Sequence, residues 1–116
     1  MNLDSILRSI KKMLGIADEY EHFDQDIIMH INSVFNVLSQ LGVGPYDGFS
    51  IEDDSATWSD FMEDDSRLNL VKSYMYLKVK LLFDPPLSST VIECMNRSIN
   101  EYEWRLNVTI DQGHVE

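Results

Sequence analysis

The residue types best suited to chemistry here are carboxylates. They cluster in two triplets, Glu52-Asp53-Asp54 and Glu63-Asp64-Asp65. Such clusters offer hard oxygen ligands of the kind that hold calcium or magnesium. Neither triplet has the Asp-x-Asn/Asp-x-Asn/Asp-Gly spacing that wraps a cation in one loop. The expectation is a solvated acidic loop whose members cap helices, with no metal. His22, His30 and His114 form no His-x-x-x-His pair, so they too predict no metal site. Cys94 stands alone, which excludes a disulfide within the chain and fits a reducing compartment. A nucleophilic role for it would need a lowered pKa and a nearby base. No motif supplies either, and its place near an apolar stripe predicts a small, inert, buried hydrophobe. There is no P-loop, no Gly-rich dinucleotide turn and no catalytic-triad signature. The residues predict no catalytic residue and no cofactor, and an enzyme is the weakest class of function.

What remains is surface for binding. Lys78 falls inside the apolar arc of its helix, among Val71, Tyr74, Leu81 and Leu82. Two readings stand side by side. Either its stem is buried and its ammonium snorkels to water, or this face meets another subunit and Lys78 pairs with a carboxylate there. The first is the commoner outcome. Trp58, Phe61 and Trp104 are core plugs or interface anchors, since aromatics are enriched at interface centres. Trp104 lies off the apolar side of its helix and is the better anchor. The interface candidates are therefore Lys78, Trp104 and Trp58, with Glu52, Asp53, Asp54, Asp64 and Asp65 of the acidic loop.

The element that must position these residues is the stretch Asp65–Pro86. Leu68, Val71, Met75, Leu82 and Leu70, Tyr74, Leu77, Leu81 recur at helical spacing and cover a wide arc. A helix apolar on so many sides touches several neighbours. Asp65 or Ser66 can cap its start, and Pro85 and Pro86 end it near residue 83. A first amphipathic helix is predicted over 3–14, capped by Asn2 or Asp4 and closed by Gly15. An acidic linker, 16–23, follows, anchored by Tyr20 and Phe23. Asp24 is the expected cap of a second helix over 25–41, whose apolar set runs from Ile27 to Leu41, and Gly42 stops it. Residues 42–65 form a long connection in which Ser55 caps a single turn through Trp58 and Phe61. Connections this long are often functional or partly mobile. Ser88 or Ser89 caps a last helix over 89–107, with Glu93/Arg97 and Glu101/Arg105 as i,i+4 pairs. The fold class is thus all-α: a small bundle of about four helices, with a long acidic loop between helices two and three. Residues 1–107 make the helical domain and 108–116 a flexible C-terminal tail.

The 116 residues suit one domain with one modest core. No run of 18 apolar residues exists, so no membrane span is expected. The N-terminus does not read as a signal peptide. Net charge is −11, unevenly spread: residues 13–66 contain no Lys or Arg and thirteen Asp or Glu. Such a surface repels phosphate and argues against a free-standing DNA reader. It does not exclude a protein that surrounds DNA without gripping it.

At Tyr74-Met75-Tyr76-Leu77-Lys78-Val79-Lys80-Leu81-Leu82-Phe83-Asp84-Pro85-Pro86 and Glu101-Tyr102-Glu103-Trp104-Arg105-Leu106-Asn107-Val108, the chain resembles the head-tail connector (adaptor) proteins of tailed phages and prophages. The likeness extends over Asp24–Leu41 and Phe49–Asp65. The resemblance implies a small helical protein that assembles as a dodecameric ring below the portal protein. It implies a ring that extends the DNA channel, lets DNA pass without sequence-specific binding, and docks the tail or a stopper protein. C-terminal segments in such proteins often reach into the portal. The implied location is the neck of the virion, reached from the host cytoplasm during assembly. The resemblance carries over no active site. The competing reading is an acidic protein that mimics DNA and blocks a nucleic-acid-binding protein. That would require a continuous negative face, whereas the acidity here is concentrated in a linker, one loop and helix caps.

Overall fold

In the computed structural model, residues 4–63 and 66–114 are described, with side chains as far as Asn107. The chain forms α1 (Ile6–Leu14), α2 (Asp24–Gln40), a single turn α3 (Trp58–Phe61), α4 (Ser66–Phe83) and α5 (Ser89–His114). The architecture is all-α, as the spacing predicts, and the described residues hold no strand beyond one isolated bridge, Ser5 to Thr57. Helix α4 is central. It packs against α2, α5 and α1, and α1 also lies on α2. Phe23, just before α2, meets Phe83, the last residue of α4, at 5.3 Å between rings. The two helices are therefore antiparallel.

The ends of the helices are where expectation and structure part. Helix α1 starts at Ile6, not residue 3, because Ser5 is its cap and accepts from the Arg8 amide. Asn2 lies outside the described residues. Asp4 instead accepts a 2.9 Å bond from the Ser59 hydroxyl, and its carbonyl accepts from the Trp58 amide. Gly15 closes α1 at φ 82, the left-handed conformation glycine takes without strain. Asp24 is the first residue of α2 and not its cap; Phe23 holds that position without a side-chain bond. The single turn α3 is capped by Thr57, whose hydroxyl and Asp60 make a reciprocal capping box. Ser55 is spent elsewhere: its amide and hydroxyl both donate to Asp53 Oδ1. Helix α4 has the predicted bounds; its expected cap Asp65 is outside the described residues. Helix α5 begins after Ser88, whose hydroxyl accepts from the Val91 amide, and runs to His114 instead of stopping near 107.

The core is built by Ile6, Leu7 and Ile10 of α1, Ile27 to Leu38 of α2, and Leu68, Val71, Tyr74, Met75 and Val79 of α4, with Ile99 and Leu106 of α5. Leu77 and Leu81, expected in the apolar arc, are only half-buried, and Leu82 is 52% exposed. The long connection is part of this core. Val43, Ile51, Trp58 and Phe61 are buried, and Phe49 packs edge-on and Phe61 tilted against Phe35 of α2. The Asn32 amide clamps the loop in extended form: Nδ2 donates to the Ile51 carbonyl at 2.9 Å and Oδ1 accepts from the Ile51 amide at 2.8 Å. Each of these bonds satisfies a backbone group that would otherwise be stranded beside the core.

Candidate functional site

The acidic triplet Glu52-Asp53-Asp54 does not converge. Glu52 is exposed. The Asp53 carboxyl is held below its ordinary pKa, first by the Ser55 hydroxyl and then by the Ser55 amide. Asp54 accepts from both Nε and Nη2 of Arg8, at 3.0 and 2.8 Å, on one oxygen. That bond, and then the Asp54 charge, raise the Arg8 pKa. The Asp54 carbonyl accepts from Ser5, the cap of α1. These carboxylates tie a loop to α1 and present no common concave face. Among the described residues no group of three His, Cys, Asp or Glu is placed to hold a metal ion. Asp64 and Asp65 lie outside the described residues.

The remaining interface candidates separate cleanly. Trp58 is 1% exposed, and its indole nitrogen donates to Ser9 at 2.9 Å. It is a core plug, so its expected place in an interface is corrected. It was the loop's packing onto α1 and α2 that the sequence alone did not show. Lys78 is half-buried with Nζ 6.0 Å from the centre of the Tyr74 ring, the geometry of a stem laid along its own helix. Trp104 is 66% exposed on the outer face of α5. Arg97, two turns earlier and exposed, shares that face by i,i+7 spacing. Arg105 is paired with Glu101 at 2.6 Å, as the i,i+4 spacing predicts. Cys94 is exposed, not buried, because α5 turns only one side toward α4.

Two polar ties escaped the sequence reading. Lys11 is 2% exposed. Its ammonium donates to the carbonyls of Asp18 and Tyr20 at 3.1 and 2.8 Å and pairs with Asp24 at 2.8 Å. One lysine thus folds the linker 16–23 back onto α1 and fixes the start of α2. The available signal was spacing: Leu7, Lys11 and Leu14 share the face that packs inward. The second tie joins α4 to α5. The fully buried Tyr74 donates its hydroxyl to Glu103 at 2.7 Å.

Where the linker meets the end of α4 the surface opens into an apolar pocket of about 650 Å³, lined by Leu14, Ile16, Ala17, Tyr20, Phe23 and Phe83. Asp84 also lines it and is paired with Lys80 at 2.9 Å, and Asp18, Glu19 and Glu21 of the linker are all exposed. The pocket brings together no nucleophile with a base. Its chemistry is that of a socket for an apolar group. No helix is long and apolar enough to cross a membrane, among the described residues.

Comparison with known proteins returns one family. The model of a family described as phage connector protein matches residues 6–113. No curated protein and no solved structure matches the chain at a significant level.

Proposed function

The chain belongs to the phage connector protein family, and from that premise we propose that it is the head-tail connector, or adaptor, of a tailed phage or prophage. Copies form a ring on the portal protein, extend the DNA channel and dock a stopper or tail-completion protein. The single observation that carries this reading is the family match, which spans α1 to α5 almost entirely. The surface is consistent with it. A ring that lets DNA slide needs no phosphate grip, and a net charge of −11 supplies none. A structural protein of this kind does no chemistry, and its work is binding on several faces at once.

The DNA-mimic reading fares worse on the same surface. Asp54 is paired with Arg8, Asp24 with Lys11, and Asp60 closes a capping box. Carboxylates spent on internal bonds do not line up as surrogate phosphates. The test is binding to the portal protein from the same genome, followed by electron microscopy of the complex. A ring of this chain on one end of the portal is expected. No binding, under conditions where heads of that phage acquire tails, would overturn the assignment.

A further inference from the structure

We propose that Trp104 of one copy seats in the apolar pocket at Ala17 and Phe83 of the next copy, and that this knob and socket is the repeating contact of the ring. The inference rests on the ring reading above. Trp104 is a large apolar side chain, 66% exposed on a helix face that also carries Arg97 and Glu101. An indole in that setting is a strong anchor when a partner desolvates it. The pocket has the apolar lining and, at about 650 Å³, ample room for an indole.

Charge complementarity supports this pairing. The linker beside the pocket carries the exposed Asp18, Glu19 and Glu21, in a region from 13 to 66 that has no Lys or Arg, whereas Asp84 of the lining is already paired with Lys80 at 2.9 Å. Arg97, exposed on the face of Trp104, is the cation that the knob brings to this acidic linker. Arg105 keeps Glu101 as a partner on its own helix. An indole entering without such a cation would bring no offset to the repulsion between two acidic copies.

Geometry makes the contact intermolecular and directional. Glu103 is bonded to Tyr74, so Trp104 lies near the middle of α4. The pocket lies at Phe83, nine residues on, which is about 14 Å along a helix at 1.5 Å per residue. Trp104 therefore does not reach the pocket of its own chain. In a ring each copy gives its knob to one neighbour and its socket to the other, so the contact propagates head to tail and closes when the rotation allows. A two-fold dimer, with each Trp104 in the other copy's pocket, would load two copies as a closed pair, so the number of copies on the portal separates the two arrangements.

The test uses two variants with exposed substitutions, Trp104→Ala and Ala17→Arg, binding to purified portal from the same genome. Equal melting temperatures establish that both are folded. Wild type should load cooperatively, many copies to a portal. Each variant should bind at least tenfold more weakly and without cooperativity. Mixed one to one, they should load as pairs, because the Ala17→Arg chain keeps its knob and the Trp104→Ala chain keeps its socket. Loss with Trp104→Ala alone would place Trp104 against the portal and overturn the pocket as its seat. Cooperative loading by both variants would overturn the inference and leave the ring reading standing. Failure of wild type to bind would overturn both.

Discussion

Tyr74 is fully buried yet keeps a polar partner, and its ionisation is the clearest handle on how α4 and α5 hold together. Burial first, then the bond to Glu103, then that carboxylate's charge push the phenol pKa above its ordinary value. A group whose folded pKa is raised stabilises fully below its unfolded pKa and loses that stability as pH climbs toward the folded value. The window therefore opens at about pH 10, the pKa of a free tyrosine. Tyr74→Phe should cost about 1 kcal/mol at neutral pH, the usual worth of one such bond. Its deficit in melting temperature should shrink as pH rises above about 10, where ionisation penalises only the wild type. A deficit constant to the highest pH at which the fold survives would show that the phenol titrates alike folded and unfolded. Gly44 gives a second residue-scale expectation. Its φ is 94, and a Cβ placed there would clash with the Phe61 ring at Cε1. Gly44→Ala forces either the loop or the Phe61 ring to move, and should cost about 1–3 kcal/mol in a chemical melt. An unchanged melt would mean the aromatic cluster around Phe35 is loose enough to absorb a methyl. At this scale the sequence was least legible. The spacing of Lys11 with Leu7 and Leu14 puts it on the inward face, but nothing local signals that the linker will fold back and deliver the carbonyls of Asp18 and Tyr20 to its ammonium.

The elements were easier to read than the residues, for physical reasons that differ from helix to helix. Helix α4 has the expected bounds because Pro85-Pro86 is a stop no tertiary contact overrides. Its inward side was not legible, since apolar residues recur almost all round it and periodicity then points nowhere. The structure chooses Val71, Tyr74, Met75 and Val79 for full burial and leaves Leu77 and Leu81 half-covered. Met75→Ala should therefore cost about 2–5 kcal/mol, as a fully buried side chain does. Leu77→Ala should cost well under half of that. Comparable losses in the two would mean that the bundle covers Leu77 more completely than its partial exposure indicates. Helix α5 overran its expected end because no proline or capping glycine follows residue 107 until Gly113. The 42–65 connection was the least legible element. Its order depends on Asn32 and Phe35, far away in sequence, and on a bridge to Ser5 that only the folded chain brings into reach.

For the whole molecule, charge distribution decides how assembly proceeds. Copies that each carry −11 repel, and screening weakens that repulsion within roughly 10 Å at 0.1 M salt. The isolated protein should sediment as a monomer at low salt and shift toward larger species as salt rises, with the portal serving as a template that raises local concentration. The C-terminal segment 108–116 is proposed to reach the portal. It lies beyond Leu106, the last fully buried side chain of the described residues. A chain ending at Asn107 should therefore keep the core and melt cooperatively within a few degrees of the full chain. If the segment supplies portal contacts, the same truncation should weaken portal binding by an order of magnitude or more, about 1.4 kcal/mol or above. The two readouts must be taken together. Loss of both would mean that 108–116 supports the helical core, and that any effect on the portal is indirect. Retention of both would remove the segment from the mechanism and leave the outer faces of the bundle to hold the portal. Only intact melting with weakened binding places the segment at the portal, and in that case the truncated chain, added in excess to heads lacking the connector, should fail to support tail attachment.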